Sequence, residues 1–531
     1  MNLCELLARQ AAARPDAAAI IEGAPGHERT TTFAGLARRS ARIAAALAAA
    51  GLRQGDAALV LVPMSAALYE AILALLRLGA TAMIVDPSAG PRHVGRCCAR
   101  ARPRAFVAVP KAHLLRLAVP ELRAVPENFT TRGWVPGAAR LDPGAGAPEA
   151  PIVPVAADAP ALLTFTSGST GEPKAVVRSH GFLVEQHRVL ARALEDRPGE
   201  RDLATLPVFL LANLASGITS VIPHADLRRP GRIDPAPVIA QIARHRVERM
   251  AASPAFVERL VERCEAEGGA LGGLKRVYVG GAPVFPGLVR RAQAVLPDGE
   301  LVAVYGSTEA EPIAHVGARG IDADDYAAML VGRGLLAGTP VPEIEARVIA
   351  NRWGTPIGPF TRAAFDAERA KPQAPGEIVV TGPHVVRGYL DGRGDAEAKF
   401  EVDGVRWHRT GDLGYFDARG RLWLLGRCAG LVNDGRGALY PFAVECAALG
   451  VAGVRRAALA ASGGRRLLLV EPRARGPAPD PEAVRERLAW AQLDRVALVG
   501  AIPMDARHNA KVDYAALERI VRRLSADVDR S

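Results

Sequence analysis

The sequence lacks the cysteine spacings that build metal centres or disulfide scaffolds. Its six cysteines contain no C-x-x-C pair and no paired metal-ligand spacing. We therefore expect reduced thiols and a cytoplasmic location. The cysteines are Cys4, Cys97, Cys98, Cys264, Cys428 and Cys446.

The sequence also lacks an uninterrupted apolar run that would predict a transmembrane helix. The uncharged stretch 203–223 contains Thr205, Asn213 and other polar residues, so we expect it in a buried core instead. The first residues predict the start of an amphipathic helix that contains Glu5, rather than a signal peptide. The expectation is a protein with no transmembrane segment.

Lysine is scarce, since only six of the 67 basic residues are lysines and the arginines are scattered. No long basic block or aromatic-interleaved basic stripe indicates a nucleic-acid surface. The formal net charge of +11 favours an anionic substrate, but only weakly. Nucleic acid is therefore not an expected partner.

What the sequence does contain is a long alternation of helical and apolar segments. Its 531 residues, 49% apolar and 23% charged, indicate a globular protein of more than one domain. Short apolar runs without strict alternation, separated by helices, predict a parallel sheet covered on both faces. Predicted helices cover residues 36–50, 65–78, 237–245, 255–267 and 288–296. Predicted strands cover residues 57–62, 81–85, 106–109, 249–252, 276–279 and 301–305.

After about Thr339 the pattern becomes richer in β-structure. Strands are predicted at 344–349, 376–381 and 421–425, with a tight turn at Arg419–Gly420. Farther on, strands at 456–461, 466–471 and 496–499 and a helix at 481–491 indicate a small α/β domain. The predicted fold class is α/β: a large two-subdomain N-terminal domain with mostly parallel sheets plus a β-rich segment, residues 1–427, and a small mobile α/β C-terminal domain, residues 428–531.

Residues 164–180 read TFTSGSTGEPKAVVRSH, the most informative motif in the chain. Glycines let a phosphate approach the backbone, N–H groups and hydroxyls donate hydrogen bonds to it, and a lysine supplies a point charge. The spacing is not that of a Walker A loop, and a polar surface turn is the alternative. The predicted phosphate-binding residues are Thr166, Ser167, Gly168, Ser169, Thr170, Gly171 and Lys174.

A second motif, YGSTE, follows the predicted strand segment 301–304. A tyrosine can stack on a purine, a threonine can donate to a phosphate oxygen and a glutamate can hold Mg²⁺. Small residues after the preceding strand would let an adenine ring lie flat, although each segment alone is also a common strand-end turn. The predicted residues are Gly281, Ala282, Pro283, Tyr305, Gly306, Ser307, Thr308 and Glu309.

Two further segments carry a candidate ribose-binding aspartate and a candidate active-site lysine. In WHRTGD, Asp412 at a turn can accept both hydroxyls of a ribose, and Arg427 can meet ribose or phosphate through its fork of donors. A β-hairpin with a solvated aspartate is the alternative. Near the C-terminus, MDARHNAK ends in Lys511, which domain motion could deliver to an active site, although an exposed lysine is usually only solvated.

In this order, the hydroxyl/glycine loop, YGSTE, TGD, GR and the late lysine resemble the acyl-adenylate-forming superfamily. That superfamily includes acyl-CoA synthetases, luciferases and peptide-synthetase adenylation domains, and the resemblance runs from about Leu6 to Leu517. It implies a C-terminal domain that rotates about a hinge near Gly430. It also implies a reaction in which a carboxylate attacks the α-phosphate of Mg·ATP to give acyl-AMP and pyrophosphate.

The resemblance implies a role for each matched residue. Tyr305 would contact adenine, and Asp412 would bind the ribose hydroxyls. Thr308 would bind the α-phosphate, Glu309 would bind the Mg²⁺, and Lys511 would stabilise the charge that develops during adenylation. The β- and γ-phosphates would be bound by Thr166, Ser167, Ser169, Thr170 and Lys174. ATP and Mg²⁺ are therefore the expected cofactors, and a small-molecule carboxylic acid is the expected substrate.

Three departures from the superfamily pattern narrow the resemblance. Gly430 stands where the hinge acid belongs, Leu210 stands where many CoA ligases have histidine, and RHNAKV replaces the usual G-K-I segment. These features, with VDPSAG, GAPVFPGLV and GALYPFAVE, resemble the β-lactone synthetases of bacterial olefin biosynthesis. There a β-hydroxy acid is adenylated, and its own hydroxyl then displaces AMP to close a lactone without CoA. Candidates for the base of that step, by motif proximity only, are His408, His315 and Glu311.

Two other functions stay open at this point. An acyl-CoA ligase would pass the acyl group to a thiol. A degenerate nucleotide-binding or scaffold protein is disfavoured because Lys174, Glu309, Asp412 and Lys511 occur together. Acyl chain length, oligomeric state and association with other biosynthetic enzymes are not encoded in a readable pattern.

Overall fold

The computed structural model describes residues 1–167, 173–473, 476–504 and 512–528. Seven strands form an N-terminal sheet in which each neighbouring pair is parallel except the last. The antiparallel pair flanks the hydroxyl/glycine motif. Across the sheet the strands are Ala139–Arg140, Glu127–Thr130, Ala105–Ala108, Ala57–Leu61, Thr81–Ile84, Pro160–Ser167 and Pro173–Ser179.

Both faces of this N-terminal sheet are buried. Ala58 and Val60 point into one apolar cluster, whereas Leu59 and Leu61 point into another. Successive side chains of a strand alternate between faces, so a strand covered on both sides must be apolar throughout. This is the physical reason for the continuous apolar runs in the sequence.

The large sheet has fourteen strands and changes character at Glu300–Ser307. On one side of this strand the neighbours are parallel, apart from the terminal hairpin, and on the other side they are antiparallel. In order the strands are Glu345–Ile349, Gly376–Thr381, Val405–Phe416, Leu422–Arg427, Leu335–Pro340, Ala310–Gly317, Glu300–Ser307, Arg276–Val279, Arg249–Ala252, Arg201–Ala204, Thr219–Val221, Ala18–Glu22 and Arg29–Thr32, with Lys399–Val402 paired to Val405–Phe416.

Many helices begin at a side chain that caps the first turn. Ser65, Ser179 and Ser253 each accept a hydrogen bond from a backbone N–H three residues later, which satisfies one of the unpaired donors of the first turn. The helices are Cys4–Ala13, Phe33–Ala49, Ala66–Arg77, Pro91–Ala101, Leu115–Ala118, Pro120–Arg123, His180–Ala193, Pro207–Ser216, Pro235–Arg244, Pro254–Glu267, Pro286–Ala294, Ala323–Leu330, Arg362–Ala367, Asp395–Ala398, Pro441–Ala448, Pro481–Arg487 and Tyr514–Val528.

Beyond Arg427 the chain forms a separate small sheet with its own apolar core. Its helix Pro441–Ala448 is apolar on two sides: Ala443 and Cys446 pack into the core of the large sheet, whereas Val444 and Ala447 pack into the small core. The small sheet contains Val454–Ser462, Arg465–Pro472 and Arg495–Leu498, and a hairpin pairs Val432–Asp434 with Gly437–Leu439.

The structure confirms the α/β prediction and most of the predicted elements. The strands Arg249–Ala252, Arg276–Val279 and Gly376–Thr381 have the predicted bounds. The uncharged stretch 203–223 is buried core, and no helix of the described residues is long and apolar enough to cross a membrane. All six cysteines are buried and free.

Some predicted boundaries are wrong. The helix predicted to reach residue 491 ends at Arg487, and a single 3₁₀ turn, Ala489–Ala491, follows it. The terminal hairpin of the large sheet, Ala18–Glu22 with Arg29–Thr32, was not predicted. Its second strand, RTTT, is polar and half-exposed, so it has no apolar pattern to detect.

Candidate nucleotide site

Tyr305, Asp412 and Arg427 form one hydrogen-bonded group. The Tyr305 hydroxyl donates to Asp412 Oδ2 at 2.8 Å, and Arg427 Nη1 donates to Asp412 Oδ1 at 2.9 Å. Burial and the neighbouring carboxylate raise the pKa of Tyr305 well above its ordinary value, so the phenol stays protonated. The YGSTE and TGD motifs are therefore brought together, with an aromatic ring beside an ionised carboxylate.

The motif predicts that Asp412 lies at a turn, and this prediction is wrong. It lies within the strand Val405–Phe416, opposite Arg427 in the neighbouring strand. The turn of this hairpin comes later, where Gly420 N–H donates to the Asp417 carbonyl. Cross-strand pairing explains why the sequence places TGD and GR fifteen residues apart yet the structure joins their side chains.

Glu309 lies at the end of YGSTE, in the turn between Glu300–Ser307 and Ala310–Gly317. The Tyr389 hydroxyl donates to Glu309 Oε1 at 2.9 Å, and Glu309 N–H donates to Ser307 Oγ at 3.2 Å. Burial alone would raise the pKa of Glu309, but the ammonium group of Lys399 and the hydrogen bond from the Tyr389 hydroxyl lower it overall. Glu309 is thus held as a carboxylate.

Lys399 and His408 form the buried floor beneath Glu309. Lys399 is 4% exposed and its Nζ donates to the Val386 carbonyl, while Val386 N–H donates to the Glu309 carbonyl at 2.7 Å. Burial lowers the pKa of Lys399 to about 8 and that of His408 to about 3. The backbone of Val386 therefore ties the lysine to the segment that carries Glu309.

Lys174, the lysine of the hydroxyl/glycine motif, contacts two residues from a later part of the chain. Its Nζ forms an ion pair with Glu397 Oε2 at 2.7 Å and lies 5.6 Å from the centre of the Tyr389 ring. Val176 forms a bridge with Tyr389, and Arg178 Nη2 donates to the Thr308 carbonyl at 2.8 Å. These contacts join the strand after the phosphate motif to YGSTE.

Two of the other predicted phosphate-binding residues belong to the described part of the chain. Thr166 and Ser167 end the strand Pro160–Ser167. The remaining motif residues and the predicted catalytic lysine lie outside the described residues: Gly168, Ser169, Thr170, Gly171 and Lys511. The chain on either side of the lysine motif meets in a bridge between Met504 and Val512.

The predicted adenine platform follows the strand Arg276–Val279. Gly281, Ala282 and Pro283 are half-buried there. At Gly280 an added Cβ would lie 2.9 Å from the Val304 carbonyl oxygen, so only glycine lets this turn approach the YGSTE strand closely. The platform and YGSTE are therefore neighbours.

A mostly apolar crevice opens beside this turn. Leu206 and Phe209, at the start of the helix Pro207–Ser216, lie on one side of the crevice. Glu311 is the one acidic residue in its lining. The crevice is lined by Leu206, Phe209, Ala251, Ala252, Tyr278, Gly280, Val304 and Glu311. Of the three candidate bases, Glu311 lines this crevice, whereas His408 lies in the buried floor and His315 lies farther along the strand Ala310–Gly317.

The surroundings of Glu309 are compatible with a magnesium ion whose coordination is completed by phosphate oxygens. Mg²⁺ in nucleotide sites takes one or two carboxylates, with phosphate oxygens and water supplying the rest. Glu309 Oε1 is engaged by Tyr389, and no hydrogen bond reaches its second oxygen from the described residues. The described part of the chain has no cluster of three or more His, Cys, Asp or Glu side chains that could hold a metal ion alone.

Sequence reasoning missed Tyr389, Lys399 and Glu397. Tyr389 stands in GPHVVRGY and the other two in DAEAKF, short segments without a chemical pattern of their own. The scarcity of lysine was the one available signal, because it made each lysine, including Lys399, a candidate for a specific role.

Comparisons with known proteins agree with this geometry. Residues 7–390 match the model of the family described as AMP-binding enzyme, and the chain belongs to this family. Two relatives are described as olefin beta-lactone synthetase. The one from Stenotrophomonas maltophilia is 35% identical and covers 96% of each chain, and the one from Xanthomonas campestris pv. campestris is 34% identical and covers 98% of each chain.

A solved structure gives the same fold at lower identity. ATP-bound MatB from Rhodopseudomonas palustris superposes with a TM-score of 0.79 at 23% identity and covers 98% of this chain and 99% of its own. This likeness shows that nearly the whole chain has the fold of that structure.

Proposed function

We propose that this enzyme uses ATP to adenylate a β-hydroxy fatty acid and then closes the acyl-AMP to a β-lactone, releasing AMP and pyrophosphate. The observation that carries the proposal is the nearly full-length similarity to two olefin β-lactone synthetases. The contacts among YGSTE, TGD, GR and Lys174 support it, because a nucleotide-using enzyme needs these groups in one place.

For nucleotide binding, we assign adenine to Tyr305 and ribose to Asp412. An ionised aspartate accepts hydrogen bonds from both ribose hydroxyls, and its Tyr305 and Arg427 partners hold it in the required orientation. Lys174 would exchange Glu397 for a phosphate oxygen, since an ion pair with a 43% exposed partner is weak. Thr308 would donate to the α-phosphate.

Glu309 would hold the Mg²⁺, with Tyr389 and Lys399 keeping the carboxylate ionised and oriented. When bound, the metal neutralises charge on the phosphates of ATP. Tyr389 also contacts the strand that carries Lys174, so it couples the two sides of the phosphate site. These roles are part of the proposal.

In the first half-reaction, a carboxylate oxygen of the substrate bonds to the α-phosphorus and the bond to pyrophosphate breaks. Lys511 is the proposed donor to the charge that develops in this step. The crevice beside the YGSTE strand has an almost entirely hydrocarbon lining, which suits an aliphatic acyl chain. Its free volume is only about 10 Å³, so it must widen to admit one.

In the second half-reaction, the β-hydroxyl oxygen bonds to the acyl carbon and the bond to AMP breaks. The hydroxyl proton needs an acceptor, and we assign it to Glu311 because this is the acidic residue in the lining of the crevice. Holding the hydroxyl beside the activated carbonyl makes the attack intramolecular, which replaces part of a bimolecular barrier.

An acyl-CoA ligase is the second candidate, and one position argues against it. Leu210, where many CoA ligases have histidine, is fully buried in the N-terminal core. A polar side chain would be desolvated at this position, so the helix Pro207–Ser216 is built for packing there.

We also propose a division into a large domain, residues 1–427, and a small domain, residues 428–531, that move relative to each other. The separate core of the small sheet supports the division. At Gly430 an added Cβ would come within 2.9 Å of the Tyr514 hydroxyl, so the missing hinge acid is compatible with close packing of the helix Tyr514–Val528 against this turn.

The proposal is tested by incubating the enzyme with ATP, Mg²⁺ and 3-hydroxy fatty acids of graded length, without CoA. We expect one AMP and one pyrophosphate for each acid consumed and a product mass equal to the acid minus water. Glu311→Gln should still release pyrophosphate in a first turnover but form lactone slowly. If no acid in the series releases pyrophosphate, adenylation itself is excluded.

A further inference from the structure

Three large apolar side chains are unusually exposed at one place on the surface. Trp134 is 82% exposed, Leu117 is 75% exposed and Leu114 is 63% exposed, the three highest values among the large hydrophobic residues in the described part of the chain. Single exposed apolar residues are ordinary, but a cluster of them marks an interaction surface. We call these three residues the apolar patch.

The fold brings the members of the patch together. Leu114 and Leu117 follow the strand Ala105–Ala108, and Trp134 follows the parallel neighbouring strand Glu127–Thr130. The two loops therefore leave the same edge of the N-terminal sheet. Arg116 Nη1 donates to the Pro136 carbonyl at 3.2 Å, which ties the short helix to the tryptophan loop.

Basic side chains surround the patch without acidic partners. Arg116 and Arg123 bind only backbone carbonyls, and no ion pair to a carboxylate is found for Lys111 or Arg132 within the described residues. Most of the protein's buried arginines, in contrast, are ion-paired, as Arg249 is with Asp196. The rim is thus a local excess of positive charge.

Acidic residues near the patch offset only part of this charge. Glu121 faces the helix Pro91–Ala101, where its carboxylate lies 2.8 Å from the position a Cβ of Gly95 would take. Glu127 begins its strand and so lies toward the opposite edge of the sheet. Glu121 is nevertheless exposed and Arg116 is half-buried. The groups at this surface are therefore two leucines, a tryptophan, four cations and one carboxylate, which leaves an excess of positive charge.

We propose that the apolar patch and its basic rim dock the protein on an anionic phospholipid surface. Tryptophan prefers the boundary between hydrocarbon and water, leucines insert beside it, and arginine and lysine keep their charges at the headgroups while their stems lie along the apolar region. Charge complementarity selects anionic lipid. This inference goes beyond the proposed function and does not depend on it.

The docking surface lies on the edge of the sheet from which the phosphate motif also departs. Four neighbouring strands of this sheet run parallel to one another, so their carboxyl ends lie at the same edge. These strands are Ala105–Ala108, Ala57–Leu61, Thr81–Ile84 and Pro160–Ser167. Docking would turn this edge toward the bilayer, the compartment in which water-insoluble acids dissolve.

The test is co-sedimentation of the full chain with two kinds of vesicle. One is pure phosphatidylcholine, and the other contains about 30% phosphatidylglycerol as the anionic lipid. We expect binding to the anionic vesicles, weakened by salt. Lys111→Gln with Arg132→Gln should weaken binding roughly twenty-five-fold, at about fivefold per charge. Trp134→Ser with Leu117→Ser should weaken it at least about tenfold.

A matched control removes exposed apolar residues elsewhere, Val405→Ser with Leu498→Ser, and should bind like the parent. Thermal unfolding confirms that each variant folds. Absence of binding to anionic vesicles by the parent, or equal binding by the patch variants and the parent, overturns the proposal. If the parent instead self-associates in light scattering and Trp134→Ser abolishes this, the surface serves a second copy of the chain and the lipid proposal is wrong.

Discussion

At the scale of single residues, Asp412 and Glu309 are two carboxylates with differently built surroundings. Asp412 lies within a strand and is held by a phenol and a guanidinium. Glu309 lies in a turn above a buried lysine and accepts a tyrosine hydroxyl. The first arrangement presents a fixed acceptor for neutral hydroxyls, whereas the second keeps a carboxylate ionised next to where phosphates are proposed to bind.

Asp412→Ala should raise the KM for ATP by on the order of tenfold to a hundredfold, because hydrogen bonds to a charged group contribute about 1.5–3 kcal/mol. Ribose contacts act equally in the ground and transition states, so kcat should change less. Pyrophosphate release measured against ATP concentration checks this. Glu401→Ala, which removes a surface ion pair to Arg406, is the control, and a collapsed kcat with unchanged KM would contradict the ribose role.

Tyr389→Phe should raise the KM for Mg·ATP by roughly tenfold, because Glu309 loses one hydrogen bond to its charged carboxylate. The aromatic ring between the two lysines stays in place, so the fold should not change. A Mg²⁺ titration of pyrophosphate release checks this, and excess Mg²⁺ should narrow the difference. Tyr326→Phe is the matched control, and the same Mg²⁺ dependence in both variants would exclude a positioning role for Tyr389.

Lys511→Ala should reduce the adenylation rate by on the order of a hundredfold to a thousandfold, the usual loss when one preorganised donor to a developing charge is removed. Thermal unfolding should be unchanged, since the proposed role is in the transition state. The measurement is single-turnover pyrophosphate release. Release at the parent rate would show that Lys511 does not act in this step.

At the scale of elements, the sequence predicted best where a segment is apolar and short. The strands Arg249–Ala252 and Arg276–Val279 lie in the buried centre of the large sheet, where both faces demand apolar residues. The placement of Asp412 in a turn was wrong because TGD looks like turn chemistry, while pairing with the strand of Arg427 extends the strand through it. Tertiary pairing, not local propensity, decided that position.

The helix Pro441–Ala448 carries a buried carboxyl that gives the fold a pH dependence. Glu445 is 2% exposed, burial raises its pKa to about 8, and Leu459 N–H, which donates to it at 3.3 Å, offsets only part of this rise. In the unfolded chain the group ionises near pH 4.5. Between these values the folded protein holds a proton on Glu445 that the unfolded chain has lost, so the contribution of Glu445 to the free energy of unfolding falls as pH rises and levels off above about 8.

Glu445→Gln should remove this slope, because the amide mimics the neutral carboxyl at every pH. The difference from the parent should grow to on the order of several kcal/mol near pH 8. The neighbouring Cys446 and Tyr514 have raised pKa values and do not titrate in this range. Denaturant unfolding of parent and variant from pH 5 to 8.5 measures the difference in their free energies of unfolding, and substitution of an exposed residue, Glu482→Gln, is the control. The same dependence of the free energy of unfolding on pH in parent and Glu445→Gln would contradict the account.

At the scale of the whole molecule, the order of motifs predicted which parts meet but not how they are held. The resemblance led from YGSTE and TGD to one nucleotide site, and the Tyr305–Asp412 hydrogen bond joins them. The supporting residue Tyr389 depends on a bridge to Val176, which is far away in the chain, and Lys399 reaches the segment of Glu309 through the backbone of Val386. Nothing local in the sequence encodes such contacts, so only the folded structure reveals them.

The central claim is that the substrate's own β-hydroxyl displaces AMP. The most direct measurement uses two fatty acids of equal length, with and without the 3-hydroxyl, each incubated with ATP, Mg²⁺ and CoA. The account predicts that both acids are adenylated, but that only the hydroxy acid turns over rapidly, giving a product of the lactone mass at a rate independent of CoA. Formation of acyl-CoA from both acids at similar rates, with no lactone, would contradict the account and establish the enzyme as a CoA ligase.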